Sequence, residues 1–218
     1  MKLMKKSGFS SVLRKKTPPG GGRLVRCERY GKVYFRRAPV EYRDACTAAQ
    51  QLQRGRMPAS IAFYRTLRDT PVPLIWQRAA VEAACSGYNL FVRHNINAFA
   101  CDGSISDYAK ITLSTGRLDL PEHVTATVGG GEVCVRWDVP AGLAAARRED
   151  TLVAAVIYAD APFEVFFLPV EGITRERGEA RLPVDDSGSG ALHLYVFFRS
   201  GLGNLFSVQR YFCLNRSV

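Results

Sequence analysis

Two hydrophobic periods divide the chain. From Asp107 onward apolar residues recur at every second position: Val133, Val135 and Trp137 alternate with Cys134, Arg136 and Asp138, and Leu192, Leu194, Val196 and Phe198 alternate with His193, Tyr195, Phe197 and Arg199. Successive strand side chains point to opposite faces, so each run describes a strand with one buried face. Similar pieces predict further strands at 108–114, 123–128, 151–159, 163–168, 178–182 and 204–213, separated by turn sequences such as GGG at 129–131 and DDSGSG at 185–190. Seven or so short strands at this spacing predict an antiparallel β-sandwich.

Before Asp107 the period is helical. Thr47-x-x-Gln50 has the form of a capping box, and Leu52, Ala59, Phe63 and Leu67 follow on one face. Pro58 is expected to kink or divide that helix near Gly55. A second helix is predicted over 74–85 and a third over 88–99, where Tyr88, Val92, Ile96 and Phe99 line one side while Arg93, His94 and Asn97 point away. The fold class is therefore α+β. Its expected parts are a basic arm and linker over 1–22, a basic hairpin with a helical region over 23–105, and a β-sandwich over 106–218. The arm expectation rests on residues 1–16, which carry no acid, and on TPPGGG at 17–22, which breaks regular structure. RLVRCERYGKVYFRRAP then predicts a hairpin turning at Tyr30-Gly31-Lys32 and ending at Pro39.

Charge adds a functional direction. The first 43 residues hold 13 Lys/Arg against Glu28 and Glu41, a balance of +11, while the whole chain is +10. The basicity is local, as expected where one segment meets a polyanion. The polyanion-binding candidates are Lys5, Lys6, Arg14, Lys15, Lys16, Arg26, Arg29, Lys32, Arg36 and Arg37. Tyr30 and Tyr34 lie among them and are candidates to stack on bases. The competing reading is a hairpin whose aromatics pack on the main body while its arginines face water. The expected partner is nucleic acid or an acidic protein surface, with no membrane involved, since no apolar run reaches the roughly 18 residues a span requires. Homo-oligomers or a larger assembly form the second line of expectation, with edge strands and an exposed Tyr195/Phe197 side offering protein contacts.

Chemistry is thinly represented. The six cysteines (Cys27, Cys46, Cys85, Cys101, Cys134 and Cys213) are scattered singly, which suits reduced thiols in a cytoplasmic setting or in a particle assembled inside the cell. Cys85, His94 and Cys101 fit no zinc module, and no cofactor motif is present. His94, His123 and His193 stand outside recognisable nucleophile or metal motifs. Asp185-Asp186-Ser187 reads as a turn and Ser114-Thr115-Gly116 as a strand end. The expectation is a non-enzymatic protein, with no catalytic, cofactor or metal residue assigned.

Two resemblances extend this reading. The pattern Val133-x-Val135-x-Trp137-x-x-Pro140 looks like the early tryptophan strand of fibronectin-type-III domains, and LHLYVFFRSGLGNLFS at 192–207 is similar to their last two strands. That likeness implies an interaction or spacer module and supplies no chemistry. The chain as a whole resembles an uncharacterised bacterial family, a domain of unknown function built from a basic Gly-Lys-Val segment, a helical middle and a β-sandwich. The matching residues are Gly31, Lys32 and Val33; Arg37 and Pro39; Thr47, Gln50, Gln53 and Arg54; Tyr88 and Asn89; and Asp107-Tyr108. They continue with Leu113-Ser114, Gly116, Trp137, Asp150, Leu182-Pro183, Tyr195, Phe197, Ser207 and Tyr211. The resemblance implies a fold and an order of parts, and no activity.

Overall fold

The computed structural model describes residues 23–29, 31–38, 44–185, 188 and 190–216. The chain divides into two units, 1–47 and 48–218. In the first, β1 (Leu24–Arg29) and β2 (Lys32–Arg37) form an antiparallel hairpin in the register Leu24↔Arg37 to Arg29↔Lys32. Gly31 takes a φ of +73° at the turn, a conformation glycine adopts without a Cβ penalty. At the open end Ala38 donates its N–H to the Arg23 carbonyl at 2.8 Å. The expected arm at 1–22 lies outside the described residues.

The second unit is α+β. It begins with α1 (Ala48–Thr66), α2 (Val72–Ala83) and α3 (Gly87–Asn95), which continues into a 3-10 turn over Ile96–Ala98. Ser86 caps α3 by accepting from the Asn89 N–H at 3.1 Å, satisfying one of the otherwise orphaned donors of its first turn. The strands follow: β3 (Thr125–Gly129), β4 (Glu132–Arg136), β5 (Thr151–Tyr158), β6 (Phe166–Phe167), β7 (Glu179–Pro183), β8 (Ala191–Arg199) and β9 (Arg210–Asn215), with the short helix α4 (Ala145–Arg148) between β4 and β5. They make two antiparallel sheets, ordered β3-β4-β7 and β6-β5-β8-β9.

Three layers result, because the four-stranded sheet is covered on both faces. On one side Leu152, Ala154, Val156, Leu192, Leu194, Val196 and Phe198 pack with Val133, Val135, Trp137, Ala180 and Leu182 of the other sheet. On the opposite side Ala155, Ile157, Tyr195 and Phe197 pack with Phe63, Leu67, Val72, Ile75, Trp76, Leu90, Phe91, Ile96 and Phe99 from the helical region. Each Val, Leu, Ile or Phe among them contributes about 1.5–3 kcal/mol of gross stabilisation on leaving water. The Tyr195/Phe197 side, expected from the sequence to be an exposed contact surface, is thus fully buried. The helices cover it.

Other expectations shift for local reasons. Pro58 lies inside an uninterrupted α1. Burial of Ala59 and Phe63 in the turns that follow offsets the hydrogen bond the proline removes. Leu52 is exposed, so the buried face of α1 starts only at Ala59. The 163–168 strand shrinks to Phe166–Phe167, and that predicted at 204–213 starts only at Arg210.

The largest difference is at 108–114. It is a 3-10 turn over Tyr108–Lys110 followed by an extended segment that joins no sheet. Side chains do the work of a neighbouring strand there. Asn95, fully buried at the end of α3, accepts from the Thr112 N–H at 2.7 Å and donates to the Thr112 carbonyl at 3.1 Å and the Phe91 carbonyl at 3.0 Å. Gln209, just before β9, accepts from the Leu113 and Ser114 N–H groups at 2.6 and 3.2 Å and donates to the Ile111 carbonyl. Trp76 of α2 donates its indole N–H to the Leu113 carbonyl at 3.1 Å, and the Ser114 hydroxyl donates to the Ser207 carbonyl at 2.6 Å. Buried backbone groups need such partners, and here two amides, an indole and a hydroxyl tie helices to sandwich.

Asn95→Ala therefore removes the partners of the N–H and carbonyl of half-buried Thr112, and urea unfolding should show a loss of about 2 kcal/mol, at the lower end of 1–3 kcal/mol per unpaired group. A loss below about 0.5 kcal/mol, the scale of an ordinary surface substitution, would show that the clamp is dispensable.

Candidate nucleic-acid interface

The β1–β2 hairpin is a ribbon of two six-residue strands, about 20 Å long at 3.4 Å per residue. Side chains point alternately to opposite faces along each strand, so the register sorts the residues onto two faces. Positions 24, 26 and 28 share a face with 33, 35 and 37; positions 25, 27 and 29 share the other with 32, 34 and 36. The first face mixes Arg26 and Arg37 with Glu28, Leu24, Val33 and Phe35. An ion pair joins Arg26 to Glu28 at 3.6 Å, and its exposure makes it worth little to stability. The second face carries Lys32, Tyr34 and Arg36 along β2, beside Val25, Cys27 and position 29, and has no acid.

All six residues of β2 are exposed, including Tyr34 at 46% and Phe35 at 59%. Of the sequence candidates, the ribbon gathers Lys32, Arg36 and Tyr34 on one face and turns Arg26 and Arg37 to the other. Arg29 occupies a strand position on the first of these faces, with its side chain outside the description. Lys5, Lys6, Arg14, Lys15, Lys16 and Tyr30 lie outside the described residues. The interleaving of aromatic and basic residues along β2 was legible in the sequence. The separation of Arg26 from Lys32 and Arg36 required the register.

The second unit holds ionisable groups of a different kind. At one end of the sandwich Asp150 and Arg175 are both buried, with Arg175 Nε 3.6 Å and Arg147 Nη1 3.8 Å from Asp150 Oδ2. Burial pushes the Asp150 carboxyl up against the pull of both arginines, and pushes the Arg175 guanidinium down. The Arg175 N–H donates to the Asp150 carbonyl at 2.7 Å, its own carbonyl accepts from the Trp137 indole at 2.7 Å, and its guanidinium bonds the Asp119 carbonyl and lies over the Phe198 ring at 5.0 Å. Arg147 bonds Asp119 at 3.1 Å beside a cleft of about 560 Å³. These charges are spent on one another. Sequence reasoning missed the cluster, whose one signal is an acid placed directly before the apolar run TLVAAVIY.

The three histidines have separate neighbours. His94 is exposed on α3, with its ring 5.1 Å from that of Trp76. His123 Nδ1 lies 2.7 Å from Asp138 Oδ2. His193 is buried, 2.9 Å from the Tyr211 hydroxyl through Nδ1, and its ring stacks on Tyr108 at 3.6 Å and 5°. Tyr195 donates its hydroxyl to the Tyr108 carbonyl at 2.8 Å, which places that tyrosine above the histidine. Burial raises the phenols of Tyr195 and Tyr211 above their ordinary value and lowers His193. Among the described residues no three His, Cys, Asp or Glu side chains are placed to hold a metal, and the cysteines are free thiols. No described helix is long and apolar enough to cross a membrane. No protein-family model matches the chain, and no similar curated protein is found.

His193 gives a pH dependence with a definite sign. Its folded pKa lies below the ordinary 6.5, so the unfolded chain binds this proton first and stability is lost as pH falls below about 6.5. Urea midpoints measured from pH 7 to pH 5 should fall less in His193→Phe, which keeps a ring against Tyr108, than in the native chain. Asp150 acts in the opposite direction and His94 in the same one, and both are retained in each protein, so the difference isolates His193. Equal falls in the two proteins would contradict the assignment.

Proposed function

We propose that the protein is a non-enzymatic nucleic-acid-binding protein that contacts the polyanion through the Lys32, Tyr34 and Arg36 face of its ribbon. The observation that carries this reading is the gathering of two cations around an exposed tyrosine on a face without an acid. The local +11 balance of residues 1–43 supports it, with Lys5, Lys6, Arg14, Lys15 and Lys16 adding charge that neutralises phosphates irrespective of sequence. A two-stranded ribbon fits a B-form major groove, and a tyrosine between two cations suits an unpaired base whose phosphates those cations meet. Binding without a sequence code follows, because contacts to phosphate position a protein and carry no base information.

The second unit is read as the body that carries this ribbon. Within it we assign the sandwich to the fibronectin-type-III-like kind, on the division into β3-β4-β7 and β6-β5-β8-β9 and on Trp137 at the end of its second strand. The likeness to a bacterial domain family of unknown function is consistent with the same order of parts. A cytoplasmic setting suits the free thiols.

Filter binding to duplex and single-stranded DNA between 50 and 200 mM salt tests the assignment. The double variant Lys32→Ala/Arg36→Ala should bind more weakly than the native chain. Its log–log salt slope should be shallower by about 1.8 on duplex or about 1.4 on single strands, for two lost phosphate contacts. Arg26→Ala/Arg37→Ala should change the slope less. An unchanged slope in the first variant, or no retention of nucleic acid by the native chain, would remove the proposal.

A further inference from the structure

Within the second unit a cleft of about 320 Å³ opens between α2, α3, the 115–117 segment and the 204–206 segment. Its floor is apolar, formed by the buried side chains of Ile75, Leu90 and Phe206. The walls are held in place by the fold itself. Beside the 115–117 segment the Ser114 hydroxyl donates to the Ser207 carbonyl at 2.6 Å, and the Leu118 N–H donates to the Phe206 carbonyl at 3.0 Å. Between those anchors Gly116 passes so near the Phe206 carbonyl that a Cβ there would collide with its oxygen. The 200–205 turn is closed by its own bonds, the Ser200 hydroxyl accepting from the Asn204 and Leu205 N–H groups at 3.2 and 3.0 Å. Arg78 of α2 ties that turn to the helix, donating to the Gly203 carbonyl at 2.6 Å with its guanidinium 5.9 Å from the centre of the Phe206 ring.

Two guanidinium groups, those of Arg78 and Arg117, line this cleft together with the His94 imidazole and the Thr115 hydroxyl. Arg117 already holds one carboxylate there, that of Glu82 at 2.6 Å. Both members of the pair are exposed, at 77% and 64%, and exposed pairs add little to stability, so Glu82 gives way at small cost. A guanidinium carries five N–H donors in a fork that matches a carboxylate, and a single bond or ion pair leaves most of them free. Arg78 and Arg117 against Glu82 leave one positive charge, which suits a monoanion better than a phosphate dianion. The buried floor suits a hydrocarbon or aromatic body. We propose that the cleft is a binding site for a small organic carboxylate, its charged end held by Arg78 and Arg117 and its apolar body resting on Ile75, Leu90 and Phe206. Walls fixed in advance favour such a ligand, because little of the protein has to be ordered when it enters. The site belongs to the second unit and does not depend on nucleic-acid binding, which rests on the first.

Phenylacetate titrated into the isotope-labelled full chain, with the amide spectrum as readout, tests the site in moderate salt, which screens diffuse attraction to basic residues elsewhere. Binding should saturate and should move the amides of 115–117 and 203–206 together with those of α2 and α3 that line the cleft. Phenylacetamide, the neutral counterpart of the same shape, should bind about ten-fold more weakly or worse, since it forgoes the charge-assisted bonds. Arg117→Gln should weaken phenylacetate by about ten-fold for the same reason. Glu82→Gln should tighten it, because the competing carboxylate is gone. No saturation, equal affinity for acid and amide, shifts confined to residues outside the cleft, native affinity in Arg117→Gln, or weaker binding by Glu82→Gln would each overturn the proposal. Should Arg117→Gln fail to fold, the comparison of acid with amide and the map of shifts on the native chain decide.

Discussion

The second unit depends on a four-residue stretch that has no strand to pair with. Six backbone groups of Ile111 to Ser114 are taken by Asn95, Gln209 and Trp76, residues that come from α3, from the approach to β9 and from α2. An extended segment in a dry interior would otherwise carry a penalty for each unpaired group. Primary amides suit the task because each offers a donor and an acceptor, mimicking the edge of a strand. Between the helices and β3 the chain thereby returns to the core at Ile111, Leu113 and Ser114. The helical layer and the sandwich are held in one register by the same few side chains.

That register lets β5 and β8 serve two cores. A sandwich sheet ordinarily buries one face, yet here both faces of the central sheet are dry, one against Val133, Val135 and Trp137 and the other against Phe63, Phe91 and Phe99. Polar groups that fall within it are paired: His193 with Tyr211, and the Tyr195 hydroxyl with the Tyr108 carbonyl. At the sandwich's end Asp150 and Arg175, whose carbonyl holds the Trp137 indole, face one another at an ion-pair distance of 3.6 Å. A buried ion pair of this sort fixes geometry more dependably than it adds stability.

How much of this was legible in the sequence follows from where each signal resides. Alternation located β4 and β8 and the sandwich class, because period two is local. It also assigned a single buried face to β8, although Tyr195 and Phe197 on the other set are large and aromatic; a strand with bulky hydrophobic residues at both parities is one buried on both sides. The 108–114 stretch is β-prone, and its true partners lie 17 residues away at Asn95 and 95 to 98 away at Gln209, beyond any window of local pattern. Pro58 is tolerated for a tertiary reason, the burial of Ala59 and Phe63. In the ribbon the reverse holds. Gly31 fixes the turn and the turn fixes the register, so the sorting of Lys32, Tyr34 and Arg36 from Arg26 and Arg37 was implicit in the spacing once the strands were placed.

The central claim is that helices and sandwich share one cooperative core through the 111–114 clamp, and native-state hydrogen exchange on the Thr112, Leu113 and Ser114 amides tests it most directly. The account predicts that these amides open only with the whole unit, at the free energy shared by the β5 and β8 amides. Exchange of the three amides through a smaller, separate opening while β5 and β8 stay protected would contradict it.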